Sequence, residues 1–277
     1  MQNPPYLNNK EVFMNELHYD GRVLLIYLAV KYKGDYDKIL SALITSDIKV
    51  PYEEALKVCN SLTCHVITYL DYDYPVKLKQ VHRPPLVLFY YGDISLIEKP
   101  SIAVVGSRNY SEYGKECVET VIGKIIKGRV LVSGLAKGID SIAHRCAIDN
   151  GGRTIAVLGS GIDHCYPAEN IELYEEIKKN HLLISEYPFD CPPDKEHFPL
   201  RNRIIAAIGD AMYIPQINTY ASGTMISINI ALSLGKEIFV APHPLSSDTI
   251  NNNLLNEGAT LVESIAQIMD DLGWAEK

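Results

Sequence analysis

From about Asn9 to Leu62 apolar clusters such as Val23-Leu24-Leu25-Ile26-Tyr27-Leu28 and Ile39-Leu40 are separated by the polar breaks Lys33-Gly34-Asp35 and Ser46-Asp47. This grouping predicts short helices packed as a small bundle. Past Cys64 the pattern changes to short runs rich in Val, Ile, Leu and Tyr alternating with helical stretches, as a parallel sheet covered on both faces requires. Strands are predicted at Leu86 to Tyr90, Ile102 to Val105, Val130 to Val132, Thr154 to Leu158, Leu182 to Ser185, Ala211 to Ile214 and Glu237 to Val240. Most are near-continuous apolar runs, which means burial on both faces. The best helix between them is Ser111 to Lys127: Val118, Val121, Ile122, Ile125 and Ile126 share one face and Ser111 is placed to cap it. A last helical stretch, Ser264 to Leu272, precedes the one tryptophan, Trp274. The chain therefore divides into a helical domain, 1–63, and an α/β domain, 64–277, with a largely parallel sheet.

Composition narrows the class. A chain of 277 residues, 47% hydrophobic, is long enough for two domains, the larger with a full core. Its net charge of -8 repels polyanions, so any nucleic-acid site has to be a local concentration of cations. Cys59, Cys64, Cys117, Cys146, Cys165 and Cys191 are scattered, with no paired spacing and no histidine at zinc-finger distance, so they read as reduced thiols and no metal or cofactor is expected. The start, MQNPPYLNNKEVF, lacks a basic region followed by an apolar core, and no apolar run reaches membrane-spanning length. A cytoplasmic protein that does not enter a membrane is expected.

In an open parallel sheet, ligands gather at the carboxyl ends of the strands. Four loops there carry candidate chemistry. Gly106-Ser107-Arg108 follows a buried strand and precedes a helix, so it can offer backbone amides and a guanidinium to an anion. Its bland alternative is a tight turn with a solvated arginine. Gly134-Leu135-Ala136-Lys137-Gly138-Ile139-Asp140 places two glycines around a lysine ahead of a helix expected from about Ser141, with Asp140 able to cap that helix or contact a hydroxyl. Its glycine spacing fits neither the dinucleotide fingerprint nor the P-loop. In the third loop, Gly159 to Asn170, Tyr166 can stack on a base or pack under the loop. The adjacent His164 and Cys165 are poor geometry for a nucleophile and its base. In the fourth, Phe198-Pro199-Leu200-Arg201-Asn202-Arg203 stands ahead of a helix, with two arginines for successive phosphates and Asn202 for a base edge or for holding the loop.

These segments resemble the bacterial DNA-processing protein A family, DprA, also called Smf. The similarity runs through Ala103-Val104-Val105-Gly106-Ser107-Arg108, Ser133 to Asp140 with Ala143-His144, Gly152 with Thr154 to Gly159, Tyr166-Pro167, and Phe198-Pro199 with Arg201 to Ala206. It implies an extended Rossmann-type domain behind a SAM-like helical domain, with single-stranded DNA bound in a pocket of the former. It also implies a homodimer, transfer of the strand to the RecA recombinase during natural transformation, and no catalytic activity. The chain departs from the family at Ala168, where relatives can carry lysine, at Ala221, where an arginine is usual, and at His243, where glycine is usual.

The expected site is thus a groove in which Arg108, Lys137, Arg201 and Arg203 neutralise two or three phosphates while Tyr166 or Phe198 offers a stacking face. Such binding falls with salt and depends little on sequence. Two other classes compete. A nucleotide phosphoribohydrolase resembles the fold but uses a glutamate where Ser227 stands here. An adaptor that contacts only proteins would suit the acidic net charge.

Overall fold

The computed structural model describes residues 20–45, 50–189 and 191–274. Helix α1 (Gly21–Lys31) begins at Asp20, whose carboxylate accepts the Arg22 amide at 2.9 Å. A turn through Lys33 and Gly34, both at positive φ, leads to α2 (Tyr36–Thr45), and α3 (Tyr52–Asn60) completes the helical module. Asn9 to Tyr19 and the Ser46-Asp47 break lie outside the described residues. None of the described helices is long and apolar enough to cross a membrane.

The sheet has nine strands: β1 (His65–Thr68), β2 (Val87–Gly92), β3 (Ser101–Val104), β4 (Val130–Ser133), β5 (Arg153–Val157), β6 (Leu182–Ser185), β7 (Ala211–Ile214), β8 (Glu237–Val240) and β9 (Thr260–Leu261). Their order is β1-β2-β6-β5-β4-β3-β7-β8-β9. From β6 to β9 all neighbours are parallel, while β1 and β2 add an antiparallel margin. The connecting helices are α4 (Glu112–Ile125), α5 (Ile139–Asp149), α6 (Ile171–Asn180), α7 (His197–Ile208), α8 (Gly223–Ser233), α9 (Asn251–Asn256) and α10 (Ile265–Asp271). All seven predicted strands are present within two residues; β1 and β9 were not anticipated. Ser111 caps α4 as expected, accepting the Gly114 amide at 3.1 Å.

Alternation along each strand sorts the core into two layers. Ala103, Val132, Ile155 and Val157 pack with Ile204, Ile205, Ile208 and Ile228 of α7 and α8 on one face. On the other face, Ile102, Val104 and Leu131 meet Val118, Val121, Ile122 and Ala143 of α4 and α5. Beside them Ala156, Leu158 and Leu183 join Leu173 and Ile177 of α6 and, in one continuous cluster, Leu25, Leu28, Ala29 and Ala55 of the helical module. The change of sequence pattern near residue 64 is therefore not a break in the core.

Candidate nucleic-acid interface

The strand order creates the site. From β3 the chain runs outward through β4, β5 and β6, then returns along α7 to place β7 on the other side of β3. The loops after β3 and β7 leave in opposite directions, which opens a crevice at the carboxyl ends of the two strands. A cleft of about 360 Å³ lies there, walled by Gly106, Ser107, Arg108, Asn202, Asn218 and Thr224 among others. A hollow of about 50 Å³ adjoins it on the β4–β5 side, between Gly134, Lys137, Gly159 and Tyr166. Arg108, Ala136, Phe198 and Arg201 line both.

The cations around this double cavity differ in what they can reach. Arg108 is exposed, with its guanidinium 6.0 Å from the centre of the Phe198 ring. Lys137 is exposed too, and its Nζ lies 2.6 Å from Glu169 Oε1. Arg201 is buried: Nη1 donates to the carbonyls of Gly134, at 2.7 Å, and Val157, and Nε donates to Asn202 Oδ1 at 3.1 Å. Burial pulls its pKa down to about 10, against the pull of nearby Asp140. Its Nη2 meets no acceptor among the described residues, so one end of the group remains for a ligand.

Arg203 does not join them. The sequence suggested two arginines ahead of a helix, but α7 already begins at His197, so Arg201 and Arg203 sit inside it. Residues two apart on a helix point about 200° from each other, which sends the second guanidinium away from the cleft. It forms a two-pronged ion pair with Glu186, at 2.5 and 2.6 Å, and donates to the carbonyls of Arg83 and Leu200. Both partners of the pair are buried.

Part of the expected cradle of loop amides is spent inside the protein. The Ser107 amide donates to the Gln216 carbonyl at 2.9 Å, and its hydroxyl accepts the Asn218 amide at 3.0 Å. Asp140, expected at the cap of α5 or on a hydroxyl, accepts the amides of Gly134 and Ala136 at 3.1 and 3.4 Å and lies against the Ser133 hydroxyl. Burial raises its carboxyl pKa, while Arg201 and these amides pull the other way. The glycines serve chain-to-chain contact. Gly138 has φ +81°, and a Cβ there would run into the carbonyls of Ser107 and Arg108; a Cβ on Gly134 would come within 2.7 Å of the Arg201 guanidinium. Gly138 thus stands behind the cavity wall. The site's formal positive charge comes from the side chains of Arg108, Lys137 and Arg201.

Phe198 is half-buried beside both Arg108 and Arg201, and Tyr166 leans on it with ring centres 5.6 Å apart and planes tilted by 35°. Tyr166 remains 41% exposed, enough to present a ring face outward. Asn202 also holds the opposite wall, donating from Nδ2 to the Gly223 carbonyl at 3.0 Å. The sequence reading marked the β7–α8 loop only by its Ala221 departure and named none of its residues for the site, yet Asn218, Thr219, Ser222 and Thr224 all border the cleft. Its signal was present in Ser222-Gly223-Thr224, where Ser222 accepts the Met225 amide and starts α8; that this loop faces Gly106 follows only from the strand order.

The fold and the site define an open, mostly parallel α/β protein of the Rossmann type, with a ligand crevice at its switch point ringed by cations and aromatic faces. Within that class the chain belongs to the DNA recombination-mediator protein A family, whose family model matches residues 65–273. It is 36% identical over 243 residues to the DNA processing protein DprA of Bacillus subtilis, covering 85% of this chain and 82% of that one. It is 42% identical over 197 residues to DprA of Streptococcus pneumoniae, covering 70% of each. The X-ray structure of the Streptococcus pneumoniae protein superimposes with a TM-score of 0.74 at 33% identity, covering 90% of this chain and 93% of that chain. A structure of DNA processing protein A from Helicobacter pylori, described for its single-stranded DNA binding mode, gives a TM-score of 0.69 at 32% identity over 76% of this chain and 96% of its own.

Proposed function

We propose that this chain binds single-stranded DNA at the crevice. Arg108, Lys137 and the free end of Arg201 neutralise two or three phosphates, and Tyr166 with Phe198 offers a stacking face. The observation that carries this reading is the convergence of two exposed cations and an aromatic pair, Tyr166 exposed and Phe198 half-buried, on the hollow that adjoins the switch-point cleft, in a protein whose net charge is -8. The Helicobacter pylori relative, described by its single-stranded DNA binding, supports the same ligand. On the family resemblance, the protein acts as a cytoplasmic homodimer that protects incoming strands and loads the RecA recombinase. Two such sites on one strand gain from effective concentration what a single small cluster of cations lacks. The nucleotide-cleaving alternative has one carboxylate at the cleft among the described residues, Asp140, and the Gly134 and Ala136 amides hold it.

Fluorescence anisotropy of a labelled oligo-dT strand tests the proposal. Arg108→Ala is expected to bind at least about tenfold more weakly than wild type, since a charge-assisted contact contributes about 1.5–3 kcal/mol. Wild type is expected to prefer the single strand to a duplex of equal length. Equal binding by the variant, or a preference for duplex, refutes the site.

A further inference from the structure

The hollow beside Tyr166 is lined by three cations, Arg108, Lys137 and Arg201, and, among the described residues, by no acidic side chain. One carboxylate nevertheless reaches it from outside, because Glu169 Oε1 meets Lys137 Nζ at 2.6 Å. Both side chains are more than half exposed, at 55% and 60%, so the pair adds little to stability. Its placement is nonetheless built into the fold. The next residue, Asn170, donates from Nδ2 to the carbonyls of Leu135 and Ala136, at 2.9 and 3.4 Å. That clamp ties the Glu169 loop to the loop of Lys137 and presents the carboxylate across the ammonium.

We propose that Glu169 is an electrostatic latch on the DNA site: it occupies Lys137 in the free protein, and an incoming phosphate must displace it. The proposal rests on the reading of this crevice as a single-stranded DNA site. Lys137 has no other ion-pair or hydrogen-bond partner among the described residues, so the phosphate and Glu169 compete for one cation. The carboxylate acts twice, by neutralising Lys137 and by repelling the phosphate brought close to it. The latch sets the affinity of the pocket below what its cations allow, which favours release of the strand.

The test is anisotropy with labelled oligo-dT at several salt concentrations, for wild type, E169Q, K137A and E169Q/K137A. Removing a unit repulsion of about 1 kcal/mol at about 4 Å in water corresponds to about fivefold tighter binding by E169Q. Releasing Lys137 to a phosphate is expected to steepen the dependence of log affinity on log salt by about 0.7. In the K137A background no ammonium holds a phosphate close to Glu169, so the same substitution is expected to lose most of its gain. Wild-type binding with E169Q unchanged or weaker overturns the latch, as does an equal gain with and without Lys137. Absence of single-strand binding in wild type and E169Q alike overturns the underlying DNA reading as well, a result distinct from either. Thermal melting of E169Q within a few degrees of wild type keeps a folding defect from imitating any of these.

Discussion

The ion pair between Arg203 and Glu186 separates a structural arginine from the one proposed to hold DNA, Arg108, by experiment. Both side chains are buried, at 9% and 8% exposure, and the guanidinium also satisfies the carbonyls of Arg83 and Leu200. Arg203→Met keeps the stem but strands a buried carboxylate, and breaking a buried pair by removing one partner costs about 3–5 kcal/mol. With an m-value of about 3 kcal/mol/M in urea, the unfolding midpoint should fall by about 1–1.7 M. The loss should extend into the helical module, since Arg83, whose carbonyl loses its donor, is itself paired with Asp37 of α2. Removing both charges, as Glu186→Leu with Arg203→Met, should recover a large part of the loss because no lone charge is left behind. Urea unfolding followed by circular dichroism measures the first quantity, and oligo-dT anisotropy on the folded fraction measures the second. Arg203→Met should bind DNA like wild type, while Arg108→Ala should unfold like wild type and bind poorly. A midpoint shift worth less than about 1 kcal/mol, or a binding defect in Arg203→Met as large as that of Arg108→Ala, would refute the assignment.

Salt, acid and one glycine supply further tests. With two or three phosphates neutralised, the single-strand salt slope should be about -1.4 to -2, so affinity drops about tenfold between 50 and 200 mM salt; a flat titration argues against phosphate contacts. Burial lowers the pKa of His144 to about 3 and also lowers those of His181, His197 and His243. Each ring is harder to protonate folded than unfolded, so the unfolded chain takes up more protons as pH falls below about 6.5 and stability declines. The decline should begin above the range in which carboxylates titrate, with His144 contributing down to about pH 3; urea midpoints constant from pH 7 to 5 would contradict it. Gly138→Ala, forced against the carbonyls of Ser107 and Arg108, should both lower the melting temperature and weaken DNA binding, because the β3 loop has to move; unchanged melting would show that the loops accommodate a side chain.

What could be read beforehand follows the physics of each element. The interior strands β3 to β8 were legible because burial on both faces writes itself as uninterrupted apolar residues, as in Ile102-Ala103-Val104 and Leu182-Leu183-Ile184. The margins β1 and β9 were not: His65 is exposed and Thr260-Leu261 is two residues long, too little pattern to mark a strand. At the site, the loops after β3 and β4 were recognisable from glycines beside basic residues, and the loop after β5 from its glycines and Tyr166. The fate of Arg203 was not, because it depends on where α7 starts. Pro199 in its first turn was a usable sign, since proline is tolerated there and excluded further in. The cleft wall from Asn218 to Thr224 depends on β7 lying beside β3, a long-range pairing that no local pattern encodes.

The continuous core joining the helical module to the sheet has a practical consequence for anyone dividing this chain. A fragment beginning near residue 64 would lose Ala29, Tyr36 and Ile39 from beside Leu86 and Val87 and bare that end of the shared apolar cluster. Such a fragment is expected to clump or to recruit a substitute cover, even though the switch-point crevice lies elsewhere. The first helices behave as a lid fastened by its own apolar underside, and the sequence boundary marks a change of architecture rather than a seam along which the protein can be cut.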